Sequence, residues 1–560
     1  MTGITISKLM FNDGTPIDVS SQDIVVFVGP NNMGKSQSLR DIFNSITNDN
    51  GNVVVKDVEV AFHNPEGLKG VLEKLSLTTP NGANFLHRGY NFQIHSQIIH
   101  SFGEKRYVED NIRKFLVSMV KTEERLTTSD PKQMVNPGEP RMYPLQYVTE
   151  PDNRKRMSDI FEKIFSKKIF CEDRGSTKLL LHMGNEIEFN QTGMTPQQVS
   201  DELYKRMEAL PKVHEQGDGI RSLSGLLLNL MMPNYSMYLI DEPEAFLHPP
   251  QARVLGENLP NLLGERQAFV STHSIEFIKG LLSTATQRVK IIRLTREGEM
   301  NPVHYLQTED LNAIWDDPLM RHSNILDGLF YHHTVLCESD SDCQLYAAML
   351  NHIKEKQNSY SDTLFTLCNG KGRMKPLSKL LKSLGIDYRI VPDIDFFNDE
   401  TLVKTVYENC GGIWADIEGD YRILYDAMNL PDGILTIDSF ISEVRRLIGK
   451  RGWEEMTKHH ANRLGKDIPK LLENQWDKLK HQGVAYLTEP AVKEAMEHLI
   501  DRMNAVGIYP VKIGELENFF PNVGSHYHGP GYAVAVLEKF PHFNAEEYKG
   551  LRDVVSSWGI

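Results

Sequence analysis

Apolar residues along this chain cluster in short unbroken runs separated by stretches with helical spacing. Residues 4–9 and the runs IVVFVG (24–29), SMYLIDEP (236–243) and RQAFVSTHS (266–274) predict buried strands. After the second of these comes SQSLRDIFNSIT, and between the last two lies QARVLGENLPNLL, both patterned as helices. The alternation predicts an α/β domain, a sheet covered by helices, over residues 1–325. Within it, residues 107–210 turn irregular and charged, with helical patches such as VEDNIRKFLVSMVKTEERL and the proline-bearing stretch DPKQMVNPGEPRMYP. These read as an inserted helical lobe and a candidate dimerisation element. A second alternation opens at HTVLCE (333–338) and continues through SDCQLYAAMLNHIKE, LFTLCN, MKPLSKLLKSLG and DYRIVPDID. It predicts another α/β unit over residues 326–560, carrying a mainly helical insertion at 415–505 and a tail of short mixed elements from Pro510.

A chain of 560 residues that is 40% hydrophobic can bury more than one core, in keeping with this division. Its five cysteines are scattered and form no CxxC pair, which argues against a disulfide framework and a zinc site. No segment approaches the roughly 20 apolar residues that span a bilayer, and the amino terminus lacks a basic start followed by an apolar run. A cytoplasmic protein without a membrane partner is expected. The net charge of −14 counts against a protein that coats nucleic acid through overall basicity. It leaves open a local basic groove beside clustered carboxylates that bind divalent metal.

Between the second strand and its helix stands Gly29-Pro30-Asn31-Asn32-Met33-Gly34-Lys35-Ser36. This GxxxxGKS spacing lets backbone amides wrap phosphates. Gly29, Asn31, Asn32, Gly34, Lys35, Ser36 and Gln37 form the candidate ATP loop, with Lys35 reaching the terminal phosphates and Ser36 on Mg2+. Lys35 is expected at the surface, where its loss would spare the fold. The strand at 237–241 ends in Asp241 followed by Glu242; Asp241 would hold Mg2+ and Glu242 would activate the attacking water, unless the pair merely caps the next helix. His273 follows the next strand and is placed to reach the γ-phosphate. The order GKS, IDEPE, STHS resembles the ABC-type ATPases of the SMC and RecF-like branch, with Leu247-His248-Pro249 at their D-loop position. The resemblance implies a signature segment before the strand at 237–241. Residues 217–225 (GDGIRSLSG) occupy that place, depart from LSGGQ, and are either amide donors through Gly217 and Gly219 or a plain loop. Gln93 and Gln97 are candidates for the Q-loop. A signature segment serves ATP held by another subunit, which implies a homodimer or higher homo-oligomer.

The second unit carries a different constellation. Glu338 ends its first strand, Asp342 lies one helical turn on, and Asp393 and Asp395 stand two apart on an expected strand, so that their side chains share a face. Crowded acids repel, and divalent cations are the natural compensation, here Mg2+ with Mn2+ or Ca2+ as alternatives. The Gly370-Lys371-Gly372-Arg373 segment is either a phosphate-contacting loop or a tight turn. A strand-terminal Glu, an α/β unit and a DxD resemble the TOPRIM fold, with Ser339 where relatives usually have Gly. TOPRIM behind an ABC-type ATPase resembles the OLD (overcoming lysogenization defect) family of nucleases. The junction NILDGLFYHHTVLCESDSD and the late segment Val511-Lys512-Ile513-Gly514-Glu515-Leu516-Glu517 carry the likeness. It implies that Lys512 completes the nuclease site, though by residue type alone Lys512 is equally a surface lysine. It also implies an ATP-regulated, metal-dependent endonuclease acting on DNA in preference to RNA. Relatives in Gabija and retron-associated systems imply anti-phage defence, with a helicase or a retron reverse transcriptase and its RNA/DNA as partner. The competing expectation is an ATP-dependent DNA-binding scaffold of the SMC/RecF type with an inactive second site.

Overall fold

The computed structural model describes residues 2–47, 51–79, 82, 84–87, 92–104, 106–136, 138–172, 177–185, 187–188, 190–306, 324–429, 436–450, 456–472, 474–523 and 529–560. The chain divides into two compact units, Met1–Phe330 and Tyr331–Ile560. No helix among the described residues is long and apolar enough to cross a membrane.

The first unit is built on a six-stranded sheet in the order Val303–Leu306, Val289–Leu294, Ile24–Val28, Gln267–Ser271, Met237–Asp241, Val117–Val120. All its neighbours run parallel except Val303–Leu306, which pairs antiparallel with Val289–Leu294. Every residue of Ile24–Val28 is inaccessible to solvent, as a strand flanked by strands and covered on both faces requires. Its unbroken apolar run is the sequence form of that burial. A three-stranded antiparallel sheet, Pro16–Asp18, Gly3–Phe11 and Val55–His63, shares one hydrophobic core with the main sheet.

The segment 107–210 departs in part from the helical expectation. Val117–Val120 is the edge strand of the main sheet, paired with Met237–Asp241. Beyond it, helix Thr122–Thr128 packs on helix Asp218–Leu230, and helix Pro151–Phe165 packs on the antiparallel pair Lys168–Glu172 and Lys178–Gly184. Short apolar strands between charged helices show too little alternation to separate from helix by periodicity alone.

The second unit has a parallel three-stranded sheet, Thr363–Leu367, His333–Cys337, Asp387–Val391, with His333–Cys337 in the middle. Helix Asp340–Lys356 packs against helices Pro530–Lys539 and Lys549–Ser556, whose apolar faces close a core around Tyr346 and Trp558. The strand Asp387–Val391 stops before Pro392, which has no N–H to continue a ladder. Asp393 and Asp395 therefore do not share a strand face. Asp393 caps the 3-10 turn Ile394–Asn398 and Asp395 lies in its first residues, so their carboxylates converge through a turn.

Candidate functional site: a phosphate loop and a carboxylate cluster

At the carboxyl end of the parallel sheet, the loop after Val28 passes through left-handed backbone at Asn32 (φ 64°) and Gly34 (φ 92°) and enters helix Lys35–Ser45. Gly34 caps that helix without a side-chain bond, leaving its first-turn amides turned to the loop. Asn31 and Asn32 are exposed, whereas Gln37 Nε2 donates to Asp41 Oδ1 at 2.7 Å. Ser36 Oγ donates to Asp241 Oδ1 at 2.7 Å, and Ser271 Oγ donates to the same oxygen. A hydroxyl and a carboxylate in contact at a phosphate loop are hard oxygen donors of the kind Mg2+ takes, so the residues present fit that ion.

Lys35 is not at the surface. It is 4% exposed, and its Nζ donates to the carbonyls of Gly29 and Pro30, each at 2.7 Å. Burial pulls its ammonium down to about 8, against the attraction of Glu242 and Asp241. Lys35→Ala is therefore expected to weaken nucleotide binding at least tenfold, since one charge-assisted contact is worth roughly 1.5–3 kcal/mol, and to lower the melting temperature slightly. Nucleotide titration beside thermal melting checks it; unchanged affinity would remove the phosphate-loop assignment.

Glu242 stands one residue past the strand, with φ 45°. That left-handed conformation is costly for a residue with a Cβ and persists only where the surroundings impose it. Its N–H donates to Ser271 O at 3.0 Å, and its carbonyl accepts from Arg125 Nη2 at 2.8 Å. Burial and then Asp241 push the Glu242 carboxyl up, countered by Lys35 and Arg125, which makes it a stronger base than an exposed glutamate. His273 Nε2 lies 3.6 Å from Glu242 Oε1. Burial, then the Lys35 charge, pulls the imidazole down to about 4, so His273 is neutral at pH 7.

Three residues of this site were not read from the sequence. Glu244, the third acid of DEPE, is buried and accepts from Thr272 Oγ1 at 2.7 Å and from His273 N–H at 2.9 Å, fixing the histidine loop. Thr122, just past the edge strand, donates from Oγ1 to Asp241 O at 3.2 Å. Arg125 is fully buried beneath Glu242. The only signal for the last two was their position after VSMV, which the surrounding charge of KTEER obscured. Gln93 and Gln97 lie on Phe92–His95 and Ser96–His100, in a separate antiparallel sheet region, so the loop after the edge strand carries Thr122 instead. Gly217 caps helix Asp218–Leu230, exposed and without a side-chain bond, while Gly219 packs against the Phe246 carbonyl.

In the second unit, Glu338, Asp393 and Asp395 each offer a carboxylate oxygen within 4.8 Å of the others. Glu338 Oε1 also accepts from the Asp393 N–H at 3.1 Å. Burial and then Glu338 push the Asp393 carboxyl well above the usual range, and burial and then Asp395 raise Glu338. Three half-buried carboxylates form a hard oxygen set that fits a divalent cation. Asp342 is committed differently: its Oδ2 accepts from the Ser339 N–H at 2.8 Å and from Ser339 Oγ at 3.0 Å, closing a capping box. Ser339, where glycine was expected, is the cap itself.

Two lysines enter this cluster. Lys480 Nζ lies 2.8 Å from Asp393 Oδ2 and 3.4 Å from Asp395 Oδ1, and Lys371 Nζ lies 2.8 Å from Asp395 Oδ2. Although burial works against it, Asp393 and Asp395 push the Lys480 ammonium above its ordinary value. Lys512 is exposed, with Nζ 4.0 Å from Asp501. What its segment brings to the acids is backbone. Ile394 N–H donates to Gly514 O at 3.1 Å, and Val511 N–H donates to Pro392 O at 3.0 Å. Gly514, at φ 109°, admits the Lys480 carbonyl 2.0 Å from where a Cβ would stand. That glycine seats helix Gln475–Gln482 against the aspartate turn. Lys480→Met should lower the melting temperature in chelator, because it leaves buried carboxylates unpaired. It should also raise Mn2+ affinity, by about tenfold, because a neighbouring cation is removed. Thermal shift with and without Mn2+ reads both.

The comparisons with known proteins agree with this geometry. A family model described as an AAA domain (AbiEii toxin, Type IV TA system) matches residues 161–279. A second, described as the TOPRIM domain of overcoming lysogenization defect protein-like chains, matches residues 329–395, the stretch from the junction to Asp395. Residues 329–395 are thus similar to the TOPRIM domain of OLD-like proteins. The Old nuclease of Escherichia phage P2 is 25% identical over 176 residues, 30% of this chain and 29% of that protein, so the similarity spans under a third of this OLD-family relative. Among solved structures, an SMC head bound to the C-winged helix domain of ScpA shares 14% identity at a TM-score of 0.33, covering 55% of this chain and 99% of that one. The SMC head domain from Thermotoga maritima shares 11% at 0.29, covering 55% and 98%. The ADP conformation of an ATP-binding cassette from an ABC transporter shares 13% at 0.25, covering 57% and 97%.

Proposed function

We propose that this chain is an OLD-type protein that hydrolyses ATP at the phosphate loop and cuts nucleic acid at the carboxylate cluster with divalent metal. The reading rests above all on Glu338, Asp393 and Asp395, three half-buried acids from two segments whose oxygens meet within 4.8 Å. At the first site Lys35 and the first-turn amides bind the phosphates, Ser36 and Asp241 hold Mg2+, and Glu242 takes a proton from water with neutral His273 beside it. At the second, Glu338, Asp393 and Asp395 are the metal ligands, with Asp342 behind them. Divalent cations bound there supply charge stabilisation at the phosphodiester and a nucleophilic hydroxide. Lys480 and Lys371 stand where a phosphate oxygen would need a counter-charge. DNA is the preferred substrate, ATP regulates cleavage, and anti-phage defence is the biological setting, all by analogy with the family.

A homodimer is proposed by analogy with ABC-type ATPases, in which a signature segment serves ATP held by a second copy; the exposed helix start at Gly217 is compatible with that role. The scaffold reading keeps one observation in its favour: Lys480 and Lys371 already neutralise the aspartates, as a structural ion-pair network would. The experiment that separates them incubates pure protein with plasmid, linear DNA and RNA, with Mg2+ or Mn2+, with and without ATP. Cleavage that needs the cation and stops with chelator supports the nuclease. ATP hydrolysis with no cleavage of any substrate in either cation would replace it with the scaffold.

A further inference from the structure

Among the described residues, Arg125 is the largest charged side chain with no solvent exposure, and it belongs to neither the phosphate loop nor any ion pair described above. Its Nη2 donates to the Glu242 carbonyl at 2.8 Å and to Thr122 Oγ1 at 3.1 Å, and Thr122 Oγ1 donates in turn to the Asp241 carbonyl at 3.2 Å. One short helix, Thr122–Thr128, thus holds two consecutive carbonyls of the hydrolytic turn. Among the described residues, Arg125 Nε and Nη1 have no hydrogen-bond partner, and neither does Glu244 Oε2. A buried guanidinium that donates to one carbonyl and one hydroxyl, with donors to spare, is a costly way to fill a core that apolar residues would fill better. Its retention points to a task at the turn it grips.

That task is visible in the backbone. Glu242 sits in left-handed conformation. Its N–H donates to Ser271 O, its carbonyl accepts from the Ala245 N–H at 2.9 Å, and Arg125 supplies the one side-chain donor to that carbonyl, from outside the turn. The same helix also reaches the signature segment. A Cβ on Gly225, in helix Asp218–Leu230, would stand 2.1 Å from the Arg125 carbonyl, so the two helices meet with no side chain between them. A shift of Asp218–Leu230 along its axis must carry Arg125 with it, because packed backbones do not deform independently.

We propose that Arg125 is a positioning residue that holds Glu242 in its hydrolytic conformation and links that conformation to the placement of the signature helix. Binding of a γ-phosphate at the start of Asp218–Leu230 is thereby felt, through Gly225 and Arg125, at the base that activates water in the same chain. The inference rests on the ATPase reading of the site.

The test uses the full chain with Arg125→Met and Arg125→Lys, and Glu242→Gln as control. Arg125→Met is expected to lower kcat for ATP hydrolysis about 10²-fold, the cost of displacing a reacting group by about an ångström, with KM changed less than about threefold. Arg125→Lys keeps the charge on a side chain without the planar fork, and its kcat should lie between those of Arg125→Met and the wild type. If Arg125→Met fails to fold, the lysine variant decides, since a reduced kcat at unchanged KM supports the role. Wild-type kcat in Arg125→Lys and Arg125→Met, or kcat and nucleotide binding falling together, would overturn it while a slow Glu242→Gln leaves the ATPase reading intact. Wild-type hydrolysis by Glu242→Gln would instead remove that reading and this inference together.

Discussion

Alanine at Asp393 or at Asp395 is expected to reduce metal-dependent cleavage by about 10²-fold or more, the scale on which loss of one charge-stabilising group slows a reaction. Each change removes one of the three acidic oxygen donors that, among the described residues, meet within 4.8 Å, leaving a bound cation under-coordinated. ATP hydrolysis should survive, because its residues all belong to the other compact unit. The melting temperature adds a second reading. Repulsion among crowded acids by itself would make each alanine stabilising in chelator, but Lys480 pairs with both aspartates and Lys371 with Asp395. Loss of Asp393 leaves Lys480 its contact with Asp395, so the change in chelator should be small. The stabilisation produced by Mn2+ should disappear, since a cation that no longer binds the folded state cannot stabilise it. Plasmid nicking, ATPase rate and melting on the same preparations check all three. Unimpaired cleavage with a clear loss of melting temperature would make the aspartates structural.

Glu242→Gln should bind ATP with near wild-type affinity and hydrolyse it about 10²–10⁴-fold more slowly, the usual contribution of a positioned general base. The amide keeps the shape of the side chain and the backbone bonds to Ser271 and Arg125, so the left-handed turn is preserved. It cannot take a proton from water. His273 does not rescue it, because burial and the Lys35 charge leave the imidazole a weak base. Single-turnover hydrolysis beside equilibrium binding separates the two effects. A wild-type rate would move the base elsewhere.

The chain's local pattern was enough for much of this. Unbroken apolar runs ending in GPNNMGKS, DEPE and STHS determined that strands stand there and which residues lie at their carboxyl ends, because a strand buried on both faces is apolar throughout. Likewise HTVLCE ending in Glu338 and the spacing of Asp393 and Asp395 were legible, since a short motif needs only the elements beside it. The carboxylates would meet whether the DxD stood on a strand or, as Pro392 dictates, on a turn.

What lay beyond the sequence has one physical cause: contacts between segments far apart in the chain leave no periodic trace. Lys480 reaches Asp393 across 87 residues because Gly514, from a third segment, lets its helix approach; the glycine was noticed as part of a motif, and the lysine it admits was not. Arg125 reads as one more charge in KTEER, a solvated face, and becomes fully buried only because Val117–Val120 joins the main sheet. Lys35 looked like a loop residue and is buried by the very carbonyls it binds. Sequence determined which chemistry is present and at the ends of which strands; tertiary structure alone decided which cations face those acids, because charge pairing is a property of distance in space.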